Sequence, residues 1–200
     1  MNDIDKLAEY FKEFPGIGPR QAKRFVYFIL RKNARYAEEL SQLIPRVRKQ
    51  VSICPDCSRY FAPQGTQQVC SICSATDRQK NTLMIVARDT DFEAVEKSNN
   101  YEGYYFILGG TLPILEEDAQ KYIRLHELEQ CITKRKAVGL EEIIIALNAN
   151  PDGDNTARFL KQTLAPLGLT ISILGRGLST GSELEYADSD TIANALKNRA

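Results

Sequence analysis

The sequence predicts a multidomain chain of mixed α+β and α/β class, with an all-helical amino-terminal module, a small cysteine-bearing module, and an α/β sheet domain ending in a short tail. Three observations carry this reading. Apolar residues recur at helical spacing through the first fifty positions, four of the five cysteines fall into two close pairs, and from Thr82 onward short apolar runs alternate with helical stretches. At 200 residues and 43% hydrophobic content, the chain can bury one ordinary core and still carry one or two small appended modules.

In the first module, residues 3–12 place Ile4, Leu7, Ala8 and Phe11 on one helical face, and Pro15-Gly16-Ile17-Gly18-Pro19 then breaks the pattern. A second helix follows, with Ala22, Phe25, Val26, Ile29 and Leu30 facing inward and Arg20, Lys23, Arg24 and Arg31 left largely to the other side. A third, over about residues 36–50, carries Leu40, Leu43, Ile44 and Val47. The stretch from Phe14 to Arg20 matches a helix-hairpin-helix motif. Gly16 and Gly18 permit a tight turn whose backbone N–H groups can approach a phosphate, and the helix start beyond it adds a favourable dipole. Arg20, Lys23 and Arg24 would flank the phosphate path. A plain helical hairpin with glycine and proline as turn residues is the alternative.

Charge distribution favours the phosphate reading. Lys+Arg and Asp+Glu both total 26, yet residues 1–50 hold eleven basic against six acidic side chains. A basic head on an acidic body implies that the amino-terminal part meets a polyanion and the rest meets something else, such as protein. Contacts directed at backbone phosphates would bind DNA without sequence preference and with steep salt dependence.

Cys54-Pro55-Asp56-Cys57 and Cys70-Ser71-Ile72-Cys73 form two CxxC pairs separated by twelve residues. That spacing lets two thiolates of each knuckle converge on one ion, and four together complete the tetrahedral shell of a structural Zn²⁺ site. A closed shell leaves no open position for catalysis, and a segment this short would draw its folding energy from the metal. Two redox-active pairs are the alternative, but the pairs occur together and neither clearly opens the helix of a βαβ unit. Cys131 shares a helical face with Leu125, Leu128 and Ile132 and reads as a buried apolar residue. With no secretory leader pattern and no apolar run of about 18 residues, a cytoplasmic chain with reduced thiols is expected.

In the third module, strands fit residues 83–87, 104–108, 143–147 and 169–174, and helices fit 91–98, 124–136 and 155–166. The run Ile143-Ile144-Ile145-Ala146-Leu147 does not alternate, which marks a central strand buried on both faces. Asn150-Pro151-Asp152-Gly153-Asp154 follows it, placing Asp152 and Asp154 at the carboxyl edge of the sheet, where sites in open α/β sheets form. Paired there, the two could hold Mg²⁺ through a few oxygens and waters. Ordinary turn and N-cap roles are the alternative. The glycine-rich tail from Gly175 lacks the Gly-Lys-Ser/Thr ending of a phosphate loop, His126 sits on a charged helix and should be exposed, and no nucleophile motif suggests a hydrolase triad.

Taken in order, the hairpin, the cysteine quartet, the segment ending at 150–156 and the Ser182-Glu183-Leu184-Glu185-Tyr186 tail make the chain resemble the bacterial RecR family of recombination mediators over nearly its whole length. The resemblance implies a helix-hairpin-helix domain over 1–52, a four-cysteine zinc finger over 53–78, a Toprim domain over 79–174 and a carboxyl-terminal oligomerisation segment over 175–200. It also implies homo-oligomeric rings, dimers or tetramers, that encircle DNA. Such rings act with RecO, and in many bacteria RecF, to load RecA onto strands covered by single-strand-binding protein. Its DNA-contacting positions fall on Arg20 and Arg24.

One departure bears on mechanism. Catalytic Toprim domains place a glutamate at the end of their first strand to complete a Mg²⁺ site with the Asp-x-Asp pair, and here that position is Ala87. Asp89 and Asp91 lie farther along. The expectation is therefore a non-enzymatic clamp and adaptor whose acidic edge at Asp152 and Asp154 docks a basic partner in place of a metal. Its rivals are a Mg²⁺-dependent Toprim nuclease, topoisomerase or primase-like enzyme, and a zinc-ribbon adaptor that never touches DNA.

Overall fold

Short polar side chains start several helices in this chain. Asn2 opens α1 (Asp3–Lys12) by accepting the Asp5 N–H at 2.9 Å, and Asn33 opens α3 (Ala34–Gln50) by accepting the Tyr36 N–H at 2.9 Å. Between them, α2 (Pro19–Leu30) begins at Gly18 with Pro19 in its first turn. The structure is a computed structural model describing residues 1–116, 118–175, 177–178, 181, 183–187 and 189–197, the side chains of 190 and 197 excepted. The chain falls into two units, Met1–Val51 and Ser52–Ala200.

In the first unit, α1 and α2 pack through a narrow seam of Ala8, Ala22 and Val26, flanked by Phe11 and Ile17. Phe11 meets Phe14 and Phe25 edge-on, each at 5.7 Å between ring centroids. A seam built on two alanines is too slim to cover the whole apolar face that the periodicity outlines. Leu30, expected inside, is 61% exposed, Ile4 and Leu7 are exposed too, and no residue of α3 is buried.

The second unit is organised by a four-stranded parallel sheet of β3 (Thr82–Val86), β4 (Tyr104–Ile107), β5 (Glu142–Ala146) and β6 (Thr170–Ile173), in the order β4-β3-β5-β6. Parallel neighbours need crossover connections, supplied by α5 (Asp89–Lys97), α6 (Leu125–Lys136) and α7 (Pro151–Leu164). β5 lies between two strands as its apolar run requires. Ile143 and Ile145 are wholly buried while Ile144 is only half-buried, so one face is covered more deeply than the other. The core joins these strands to Leu128 and Ile132 of α6 and Leu160 and Leu164 of α7. α7 starts four residues before the expected 155 because Asn150 caps it and Pro151 fits its first turn, so the Asp-Gly-Asp stretch is helical.

Ahead of the sheet come a two-stranded antiparallel ribbon, β1 (Ser52–Ile53) and β2 (Tyr60–Phe61), and the single turn α4 (Ser71–Ser74). Near the carboxyl end lies α8 (Ser189–Lys197). Positions 176, 179, 180, 182, 188 and 198–200 of the expected oligomerisation segment lie outside the described residues. Among the described residues no helix is long and apolar enough to cross a membrane.

Candidate metal centre and nucleic-acid interface

The first cysteine knuckle is a tight turn. Cys54 N–H donates to the Arg59 carbonyl at 2.8 Å, Ser58 N–H donates back to the Cys54 carbonyl at 2.9 Å, and Ser58 takes a left-handed conformation with φ of 60°. Cys70 caps α4, its carbonyl accepting the Ser74 N–H at 3.0 Å. The second pair thus opens a lone helical turn, not the helix of a βαβ unit. These turns bring the sulfurs of Cys54, Cys57, Cys70 and Cys73 within 4.8 Å of one another, with Cys57 and Cys70 at 3.5 Å. A tetrahedral zinc site with bonds of about 2.3 Å has sulfur–sulfur edges of about 3.8 Å, whereas a disulfide needs about 2.05 Å. This is ligand spacing, and all four are free thiols. The Cys70 N–H points at Cys54 Sγ from 3.4 Å.

Cys54, Cys57 and Cys70 are buried and Cys73 is half-buried. Hydrogen bonding from Cys57 and its neighbours pushes the Cys54 thiol down, while sharing with Cys54 pushes Cys57 and Cys73 up. A divalent cation taken up by the four thiols would displace their protons. The donor set suits a metal ion such as zinc in a closed, four-sulfur shell.

Long-range contacts seat this knuckle on the exposed edge of the sheet. Ile107 N–H of edge strand β4 donates to the Cys57 carbonyl at 2.9 Å, Arg124 donates to the Ser58 carbonyl at 2.6 Å, and Tyr60 N–H donates to Asp89 Oδ1 at 2.9 Å. Arg124 did not stand out in the sequence, and Asp89 stood out only as a carboxylate near Ala87, not as a partner of Tyr60. Both read there as helix-start residues, and no local pattern announces partners 66 and 29 positions away.

In the helical unit, Gly16 has φ of +77°, which favours glycine, while Gly18 at −84° has no such need. A Cβ built on either would meet nothing within 4 Å, so the turn is open to a close-approaching ligand. The α2 start has no side-chain cap and no acidic residue in its first turn, which leaves its N–H groups and dipole to an external anion. Arg20 and Arg24 are exposed one turn apart, with Arg24 touching Gln21 at 3.3 Å. Lys23 lies on the same helix, 3.8 Å from Asp5.

At the carboxyl edge of the sheet, Asp152 and Asp154 both fall in the first turn of α7, Asp152 half-buried and Asp154 exposed. Two positions apart on a helix, they project roughly 200° from each other. Among the described residues they join no group of three or more potential ligands. Ala87 is buried at 1% exposure, with no carboxylate to offer. Asp89 Oδ1 accepts the Tyr60 N–H, and Asp91 Oδ2 accepts the Arg88 N–H at 3.0 Å to cap α5. His126 is exposed and bonded to Gln130 at 2.9 Å, and Cys131 is buried, as the helical pattern requires.

Three family models match the chain: RecR helix-hairpin-helix over residues 4–47, Toprim domain over 81–175, and RecR carboxyl-terminal over 177–200. Among curated relatives, a recombination protein RecR of Legionella pneumophila is 32% identical over 200 residues, covering 100% of this chain and 97% of that protein. One of Roseiflexus is 36% identical, covering 98% and 92%, and one of Jannaschia is 34% identical, covering 98% and 96%. Identity of this level along practically the full length of both partners, with helical, Toprim and carboxyl-terminal models matching in order, shows that the chain belongs to the RecR family of recombination proteins.

Proposed function

We propose that this chain is a recombination mediator in DNA repair that grips DNA through the α1–α2 hairpin and performs no covalent chemistry. The observation that carries the reading is the uncapped start of α2, open above Gly16 and Gly18 and followed at once by exposed Arg20 and Arg24. Backbone N–H groups, a helix dipole and two guanidinium groups at one place suit a phosphate and ignore base identity. Lys23 contributes less, because it shares its charge with Asp5.

Zinc is the metal best suited to four thiolates in a closed shell, and its role here is to fold the cysteine module. The family resemblance extends the reading to a cytoplasmic, nucleoid-associated homo-oligomeric clamp, a dimer or tetramer, divided as 1–52, 53–78, 79–174 and 175–200. With RecO, and with RecF where present, the clamp would promote RecA loading onto DNA covered by single-strand-binding protein. Asp152 and Asp154 serve in this reading as an acidic edge for a basic partner surface. A Mg²⁺-dependent enzyme is disfavoured by Ala87 and because Asp152 and Asp154 join no third carboxylate among the described residues.

The test is labelled gapped DNA incubated with protein and Mg²⁺ and run on native and denaturing gels. A shifted but intact strand, with the shift abolished by Arg20→Glu/Arg24→Glu, is the expected result. New strand ends or primers that depend on Asp152 and Asp154 would make the protein an enzyme and overturn the proposal.

A further inference from the structure

Two consecutive residues of α6, Lys134 and Arg135, each reach one half of the cysteine cluster. Lys134 Nζ lies 3.2 Å from Asp56, inside the Cys54–Cys57 knuckle, and Arg135 Nη2 donates to Cys73 Sγ at 3.6 Å. The guanidinium group of Arg135 is 3.8 Å from the Tyr104 ring centroid, and Tyr104 Oη donates to the Ala75 carbonyl at 2.9 Å, two residues beyond Cys73. Aromatic face and sulfur together fix the fork in one orientation.

The charges show what this placement does. Four thiolates around a dication carry a net charge of about −2, which is costly in a poorly solvated site unless N–H donors and cations offset it. Arg135 has the converse problem. Its Nε is buried without a partner, and among the described residues no carboxylate pairs with it. Cys73 is the half-buried member of the quartet, and it borders a cavity of about 250 Å³ shared with Lys80, Cys131, Lys134 and Arg135. Chelators and electrophiles would reach the metal at that sulfur first.

Resting on the four-cysteine metal reading, we propose that Arg135 is the outer-sphere partner of the metal centre, a positioning residue that donates to the Cys73 thiolate, offsets cluster charge and guards the most accessible ligand. Lys134 has the lesser part of steadying the other knuckle through Asp56. Exposure of that pair, 63% and 35%, keeps its contribution small.

The experiment uses the full-length protein loaded with zinc, as wild type, Arg135→Met, Arg135→Gln and Lys134→Met. It measures zinc release to excess chromogenic chelator and the alkylation rate of each cysteine by mass spectrometry. Both Arg135 variants should release zinc roughly 10- to 100-fold faster, with Cys73 alkylated ahead of the other three, and Lys134→Met should stay near wild type. Arg135→Gln carries the comparison if Arg135→Met does not fold, since it keeps a polar side chain at the site while removing the charge and the guanidinium fork. Wild-type release with unchanged Cys73 alkylation overturns the proposal, as does uniform acceleration at all four cysteines, which would mark general loosening. A wild type that takes up no zinc after reduction would overturn the metal reading itself.

Discussion

The hairpin reading makes a quantitative demand on the salt dependence of DNA binding. Replacing Arg20 and Arg24 with glutamine removes two charges that stand exposed and one turn apart on α2, without touching the Ala8–Ala22–Val26 seam that holds the hairpin together. Each phosphate left without its cation should lower the slope of log K against log salt by about 0.9 for duplex, or about 0.7 for a single strand. The double variant should therefore lose about 1.8 on duplex per protomer engaged. From about 50 to about 200 mM salt this is roughly a twelvefold smaller drop in affinity than wild type suffers. Lys23→Gln should change the slope by less than either arginine, because Asp5 at 3.8 Å already takes part of its charge. Fluorescence anisotropy of labelled gapped DNA across a salt series reads the slope directly. An unchanged slope with weaker binding would mean that the arginines act within the protein and not on phosphate. An unchanged slope with unchanged affinity would move the DNA surface away from the hairpin.

Two further predictions concern the sheet domain that carries the metal module. Arg78 forms a two-pronged ion pair with Glu96 at 2.7 and 2.9 Å and also donates to the Gly103 carbonyl at 2.8 Å, its side chain only 13% exposed. Burial opposes ionisation of Glu96, but the Arg78 hydrogen bonds outweigh it and hold the carboxyl below its ordinary range. Stability from this group is thus present above the unfolded glutamate value of about 4.3 and lost as pH falls through the lower folded value. Arg78→Met should cost about 2–3 kcal/mol at neutral pH, and urea unfolding should show the gap to wild type closing in acid; a gap independent of pH would refute the pairing. Gly153→Ala should destabilise although alanine is ordinarily worth about 1 kcal/mol over glycine within a helix. A Cβ there would strike the Asn148 carbonyl and come within 3.0 Å of Asn150 Oδ1, at a cost of about 1–3 kcal/mol or more. A thermal midpoint equal to or above wild type would show that the loop after β5 yields freely.

The sheet was legible because each of its strands is short, apolar and bounded by residues that punctuate. The expected runs and the observed β3, β4, β5 and β6 differ by no more than one residue at any end. The cysteine convergence was legible for a different reason, since spacing alone constrains where four thiolates can meet. Burial in the helical unit was not. Periodicity identifies an apolar face but not how much of it a partner covers, and the alanine seam between α1 and α2 leaves Leu30 exposed. Nor could local sequence show that the Asp152–Asp154 stretch belongs to a helix, because Asp, Gly and Asn serve turns and first helical turns alike. What lay farthest from view were the ties between distant segments: Arg124 to Ser58, Asp89 to Tyr60 and Arg135 to Cys73.

The Asp89 tie bears on whether a third metal ligand stands at this sheet edge. A Toprim-type Mg²⁺ site needs a third carboxylate beside Asp152 and Asp154, and Ala87 supplies none. Asp89 accepts the Tyr60 N–H through Oδ1, one of the bonds seating the cysteine knuckle against the sheet domain, which fixes the direction of that carboxylate. Asp91 is held in the same way, its Oδ2 accepting the Arg88 N–H at the start of α5. Neither bond exhausts its carboxylate, which keeps a second oxygen, but among the described residues neither side chain joins Asp152 and Asp154 in a group of three ligands. The carboxylates that follow Ala87 are thus anchored by hydrogen bonds of the fold, and the three-carboxylate set of a Toprim Mg²⁺ site is not assembled among the described residues.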